Sequence, residues 1–258
     1  MELKPLTKDP RDLMLVFLAL WFVLGLVDNG LKVLPTFLTA VIVAVVADVA
    51  LAKYAKNQNR LPLPKSALIS GFLIGGILSP ETALWIVAVA SIIAILSKYV
   101  IQYQGSHVFN PANLGILFAA AIFGAPVVWW FASPTLGGML PVMGTLLLVL
   151  VLGLVNSFNV ERLYATAGFL IAEFATLMAF GLPASSALSL LNVFIACFMI
   201  VEPQSSPWSI RNMSIFGVVC GVLAAVFLQV PDTQLFSDNL ALAVANVFGV
   251  LLVNFWPE

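Results

Sequence analysis

The sequence predicts an all-α integral membrane protein, a single polytopic domain over residues 1–258 with ten transmembrane helices. Three observations carry that reading. Of the 258 residues, 62% are hydrophobic and only 9% charged, where a soluble domain carries about 25%. The mean hydropathy is +1.08. The apolar segments also follow one another from end to end, with connectors too short for a soluble domain. A chain in water needs more polar surface than this. A chain in lipid can leave its outer face as apolar as its core.

A spanning helix takes about 20 apolar residues, fewer where it is broken or re-entrant. The candidate segments are 12–28, 34–53, 66–79, 82–103, 111–132, 138–157, 163–181, 184–201, 209–230 and 238–256. The first follows a polar start, Met1 to Arg11, with no small-residue cleavage site, so no signal peptide is expected. The third is short and ends at Ser79-Pro80. The fifth opens on Pro111, which suits a first helical turn because the N–H it lacks would be unpaired there. Pro126 is expected to kink that helix. Gly71 and Gly75 in the third have the spacing of a helix-packing face.

Charge sets the expected orientation. With ten crossings and a cytoplasmic start, the inner loops hold Lys4, Lys8, Arg11, Lys53, Lys56, Arg60, Lys65, Arg162 and Arg211, and the outer loops hold Lys32. Lys98 falls near the inner end of the fourth segment. The positive-inside rule then puts both termini in the cytoplasm. Five segments plus five suggest inverted repeats, roughly 12–132 and 138–256, with short or broken helices at the centre. The runs Ser66–Pro80 and Ser189–Pro203 are each followed by a polar corner.

Composition also excludes. A net charge of −1 offers no basic patch for nucleic acid. Cys197 and Cys220 sit in apolar runs without a CxxC motif. His107 is the sole histidine, so no metal-ligand cluster is expected. There is no Ser-His-Asp set and no phosphate-cradling glycine loop, so no catalytic residue is assigned.

Four places break the apolar pattern. In Gln102–Asn113, polar groups enter a helix through Asn110-Pro111, where Asn110 can cap and the free N–H groups can attract polar ligand atoms. In Glu202–Arg211, Pro203 and Pro207 keep a corner non-helical, Ser206 or Ser209 can cap the next helix, and Glu202 and Arg211 can pair. The stretch from Ala132 to Gly138 is a turn after Trp129, Trp130 and Phe131, which read as an interfacial belt. Asp48, Lys98 and Glu173 are ionisable at membrane depth, where charge is costly and faces the protein interior. Glu173, mid-helix, is the best lone candidate for a functional carboxylate, or else a helix-packing hydrogen bond.

Taken together these breaks resemble the membrane flavoprotein components of two respiratory complexes, the D subunit of Rnf complexes and the B subunit of the sodium-pumping NADH:quinone oxidoreductase. The first half of the resemblance lies in Ser66–Gly71, Leu78-Ser79-Pro80, Lys98 and Phe109-Asn110-Pro111-Ala112. The second lies in Phe198 to Pro207 with Arg211, similar to a Phe-Met-x-x-Asp-Pro-x-x-Ser-Pro corner. The last segment fits through Asp238, Ala241, Ala243, Asn246 and Leu251. The resemblance implies two inverted five-helix halves, akin to urea transporters, in a prokaryotic cytoplasmic membrane. It implies a component of transmembrane electron transfer, coupled to ions in the full complexes, with other electron-transfer subunits or flavoproteins as partners beside the lipid bilayer. It implies a flavin, FMN or riboflavin, near Lys98, Phe109, Asn110, Pro111, Ala112, Glu202, Pro203, Ser205, Ser206 and Arg211. The family attaches FMN to the threonine of a Ser-Gly-Ala-Thr motif. The comparable place here reads Ala132-Ser133-Pro134-Thr135, so Thr135 is of the right type but the expected flavin is non-covalent. Two other readings remain. One is a channel or transporter for a small polar solute on the same fold, and the other is a structural component that holds partners.

Overall fold

The computed structural model describes residues 6–56, 64–132, 135, 136, 138 and 142–255. Lys4, Arg60, Ser133, Pro134 and Gly137 of the sequence argument lie outside them. Ten α-helices occur among the described residues, one for each predicted segment. Three stretches, Pro10–Tyr54, Ile210–Gln229 and Gln234–Asn254, are long and apolar enough to cross a membrane, and five further apolar helices are shorter. Outward faces are apolar too: Leu38, Ile42 and Val46, one turn apart on one helix, are 48%, 57% and 61% exposed. A row of large aliphatics turned away from the core is unfavourable in water and favoured in lipid. The chain is an integral membrane protein.

Contacts divide the chain into two compact units. One comprises Arg11–Gln102 and Pro111–Met139. It contains α1 (Pro10–Asn29), α2 (Leu34–Lys56), α3 (Lys65–Ile77), α4 (Leu84–Val100) and α5 (Pro111–Phe123). Gly71 and Gly75 do serve packing: an added Cβ would lie 2.6 Å from the Val41 Cα and 2.8 Å from the Phe37 Cα. The paired numbers run in opposite senses, so α2 and α3 are antiparallel with backbones in contact.

The fifth segment departs from expectation. It ends at Phe123 instead of running on to residue 132 with a kink. Gly124 takes a positive φ of 64°, which terminates a helix, and Pro126 cannot supply the N–H a helix would need. The chain then runs extended. The Pro126 carbonyl accepts from the Ser79 N–H, and the Ile77 carbonyl accepts from the Val128 N–H. The Trp130 Nε1–H donates to the Gly75 carbonyl at 2.8 Å. Trp130 and Phe131 are therefore 8% and 0% exposed; they fill the core and are not an interfacial belt.

The other unit comprises Met1–Pro10, Tyr103–Asn110 and Leu140–Glu258. It contains α6 (Val142–Asn159), α7 (Leu163–Ala179), α8 (Ala184–Leu190), α9 (Ile210–Gln229) and α10 (Ser237–Phe255). After α4 the chain makes a small hairpin, β1 (Gln102–Tyr103) and β2 (Ser106–His107). Its turn residues Gln104 and Gly105 both have positive φ, the geometry of a tight two-residue hairpin turn. Ser209 caps α9, accepting from the Asn212 N–H.

The predicted helix over 184–201 is broken. α8 lasts seven residues, and after Leu191 and Asn192 the chain forms a π-helix, Ile195–Met199. Around it α7 and α9 pack backbone to backbone. A Cβ on Gly217 would lie 2.2 Å from the Ala165 oxygen, and one on Gly221 would lie 2.4 Å from the Phe169 oxygen. These pairs advance in the same sense, so α7 and α9 are parallel, and the chain between them returns through α8 and the π-helix.

Replacing Gly221 by leucine is expected to lower stability by about 1–3 kcal/mol, because rigid carbonyls cannot yield to the new side chain. Val222→Leu, on the half-exposed neighbouring position, is the neutral control. Thermal unfolding of the detergent-purified variants checks this, and equal midpoints would refute the close packing.

Candidate functional site

The second unit builds a polar corner around the π-helix. A wide helical turn weakens the regular ladder, and in an apolar interior its carbonyls need other donors. Three side chains supply them. Thr166 Oγ1 donates to the Ala196 oxygen at 3.0 Å, Asn156 Nδ2 to the Cys197 oxygen at 2.7 Å, and Asn110 Nδ2 to the Met199 oxygen at 3.0 Å. Asn110 is tied again through its backbone N–H to Asn246 Oδ1, at 3.2 Å. Asn246 Nδ2 in turn donates to the Ser205 carbonyl at 2.9 Å.

Glu202 organises the loop beyond. Its Oε2 accepts from the Ser205 hydroxyl at 3.1 Å, and its carbonyl accepts from the Ser206 hydroxyl at 2.7 Å. Its Oε1 partner is His107, with Nε2 2.9 Å away, where the sequence offered Arg211. Arg211 is exposed and its Nε reaches Asn212 Oδ1. The buried cation of this corner is Arg162. It is 0% exposed, donates from Nε to Ser206 Oγ at 3.1 Å, and stacks on the Trp208 ring at 3.8 Å. A stacked guanidinium is geometry lysine cannot reproduce. Beside the corner lies a cleft of about 190 Å³ lined by Tyr103, His107, Gln204, Ser206 and Trp208. That is below the 300–1,000 Å³ of usual small-molecule sites.

The first unit holds a larger pocket, about 490 Å³, lined by Asp28, Lys32, Glu81, Trp129, Trp130 and Thr135 among others. Thr135 is exposed. Asp28 fixes it, accepting from the Thr135 N–H at 2.5 Å and from its hydroxyl at 3.2 Å. The same hydroxyl oxygen accepts from the Gly138 N–H at 3.3 Å. The pocket therefore offers an oriented hydroxyl, indole walls, one ammonium and two carboxylates.

Lys98 stands elsewhere in this unit. Its ammonium pairs with Asp48 at 2.9 Å, with both side chains largely shielded, and Tyr99 donates to the same carboxylate at 3.1 Å. Pairing is how two charges at membrane depth become tolerable. Among the described residues no group of three His, Cys, Asp or Glu could hold a metal ion. Of the predicted residues, Asn110, Glu202, Ser205 and Ser206 are thus joined in one network. Lys98 and Thr135 take part in two separate arrangements, Pro111 and Ala112 are buried at the start of α5, and Phe109 and Pro203 make no polar side-chain bond.

The family described as NQR2, RnfD, RnfE matches residues 7–148. The chain belongs to this family. Among curated relatives, the D subunit of the proton-translocating ferredoxin:NAD(+) oxidoreductase complex of Clostridium ljungdahlii is 32% identical over 94 residues. That stretch is 36% of this chain and 28% of the relative. The D subunit of the ion-translocating oxidoreductase complex of Rhodobacter capsulatus is 31% identical over 110 residues, 42% of this chain and 31% of the relative. The matched stretches thus span less than a third of either relative.

Arg162, Asn156 and Thr166 escaped the sequence reading. Arg162 stands among the inner-loop charges of the sequence, and Asn156 and Thr166 are not singled out there. Their polarity in apolar helices was the available signal. The network predicts that Asn246→Leu, which removes both of its bonds, destabilises the protein by about 1–3 kcal/mol for each polar group orphaned. Denaturation midpoints of detergent-purified protein would show it, and an unchanged midpoint would remove Asn246 from the clamp.

Proposed function

We propose that the protein is an electron-transfer component of the membrane, of the kind found as the D subunit of ion-translocating oxidoreductases, and that it holds a flavin without a covalent bond. In this reading ten crossings form two inverted five-helix halves, both termini are cytoplasmic, and other electron-transfer subunits are its partners. Family membership and the names of the relatives support the class.

The pocket beside Thr135 carries the cofactor assignment. Its volume of about 490 Å³ lies within the range of small-molecule sites, and its residues fit a flavin. Trp129 and Trp130 offer flat apolar walls, and the bond from Trp130 to Gly75 holds one of them in place. Asp28 and the Thr135 hydroxyl suit the hydroxyls of a ribityl chain. Two carboxylates against the single ammonium of Lys32 favour uncharged riboflavin over the phosphate of FMN. A bound flavin supplies reversible electron transfer; the protein binds it and orients it. The network of Asn110, Glu202, Ser205 and Ser206 then serves to fix the fold, as does the Lys98–Asp48 pair.

The broken helix at Leu191 and Asn192 favours a second reading, a channel or transporter for a small polar solute, since interrupted helices are a transporter feature. Absorption and fluorescence of the purified protein, before and after acid denaturation, separate the two. Flavin released by denaturation is expected. Trp129→Ala should lower its occupancy about tenfold at limiting flavin, which corresponds to about 1.4 kcal/mol, while Thr135→Val should still bind it. Flavin-free protein that moves solutes into proteoliposomes would establish the transporter instead.

A further inference from the structure

Glu173 lies midway along α7 and is 2% exposed. The Asn192 backbone N–H is turned toward its carboxylate. Oε2 has no hydrogen-bond partner among the described residues. Asn192 sits in the break between α8 and the π-helix, and its side chain is used twice more. Nδ2 donates to Asp238 Oδ2 at 2.7 Å, and Oδ1 accepts from the Ile195 N–H at 3.0 Å. One asparagine, hydrogen-bonded to a carboxylate in the first turn of α10, thus also faces the carboxylate of α7, in the place where the helix between them is interrupted.

The groups around this pair do not balance its charge. On α7 the other titratable side chain is Tyr164, nine residues away. α6 and α8 carry none, and the π-helix carries Cys197. On α9, Cys220 is fully buried and close enough to be acted on by both carboxylates, and it is neutral as a thiol. Arg211 is the one basic residue of α9. Gly221 packs against the Glu173 backbone, and Arg211 lies ten residues before it, about 15 Å along the axis. No ion pair joins Glu173 or Asp238 to a basic side chain among the described residues. Two carboxylates in an apolar interior without a cation cannot both stay charged.

We propose that Glu173, Asn192 and Asp238 form a proton-binding site inside the helical unit, with the exchangeable proton on Glu173 Oε2 and Asp238 as its acidic neighbour. A proton needs one oxygen, and Oε2 is the one left open. A hard metal cation takes several oxygens, whereas Asn192 turns N–H groups towards both carboxylates. Binding and release change one O–H bond and involve no electron. The site does not depend on the flavin reading, and its test needs no flavin.

Infrared difference spectroscopy of the detergent-purified full chain tests it. At neutral pH a protonated-carboxyl carbonyl stretch is expected. It should shift in deuterium oxide and disappear as the pH is raised. Glu173→Gln should abolish it, and Asp238→Asn, which keeps the hydrogen bond and removes the neighbouring charge, should shift the pH at which it disappears. The second variant keeps the test open if the first does not fold. Absence of the band from the native protein, or a band and titration identical in both variants, would overturn the site. Loss of the band when sodium chloride replaces choline chloride at constant pH and ionic strength would overturn the proton as occupant.

Discussion

The structure depends on a backbone problem solved by side chains. A helix that stops and widens inside an apolar interior exposes carbonyls that water cannot reach, at a cost of several kcal/mol each. Here Thr166, Asn156 and Asn110 each donate to one of them. Without those donors the π-helix would revert to a regular helix or be hydrated. The break at Asn192 would then not exist, and Asp238 would lose its hydrogen bond from that residue. The polar corner at Glu202 extends the same device, and His107, Ser205, Ser206 and the buried Arg162 continue the chain of bonds.

The helices were legible because lipid makes the signal coarse. Long apolar runs bounded by charge or proline allow few other structures, and each predicted segment contains an observed helix. Errors fell where backbone conformation, and not hydropathy, decides. Residues 124–132 are apolar enough for a helix, yet Gly124 and Pro126 turn them into an extended strap against α3. Residues 191–194 are equally apolar, and only Asn192 marks the interruption. A hydropathy pattern has no term for a glycine at positive φ or for a carbonyl that needs a partner.

The site was legible in parts. The Asn110 and Glu202 corners stood out as polar breaks, and the structure joins them through Asn246 and Ser205, two residues whose role depends on contacts distant in sequence. Arg162 was read as one more loop charge because its burial against Trp208 is a tertiary fact. Thr135 was found by resemblance alone. Its place in a roomy pocket, held by Asp28 from more than a hundred residues away, has no local signature. Glu173 stands out in the sequence because a carboxylate in mid-helix is costly in lipid, whereas the nearness of Asn192 and Asp238 to it has no local signature.

The glycine contacts between α7 and α9 bear on motion. Parallel helices with main chains touching at Gly217 and Gly221 have no side-chain layer between them to slide on, so they form a single stiff plate. Asn192 is not part of that plate; it belongs to the short segment that crosses beside it. Any opening of this unit is therefore a hinge of α8 and the π-helix against a fixed wall, and the amides of α7 and α9 should exchange with solvent far more slowly than those of residues 190–195.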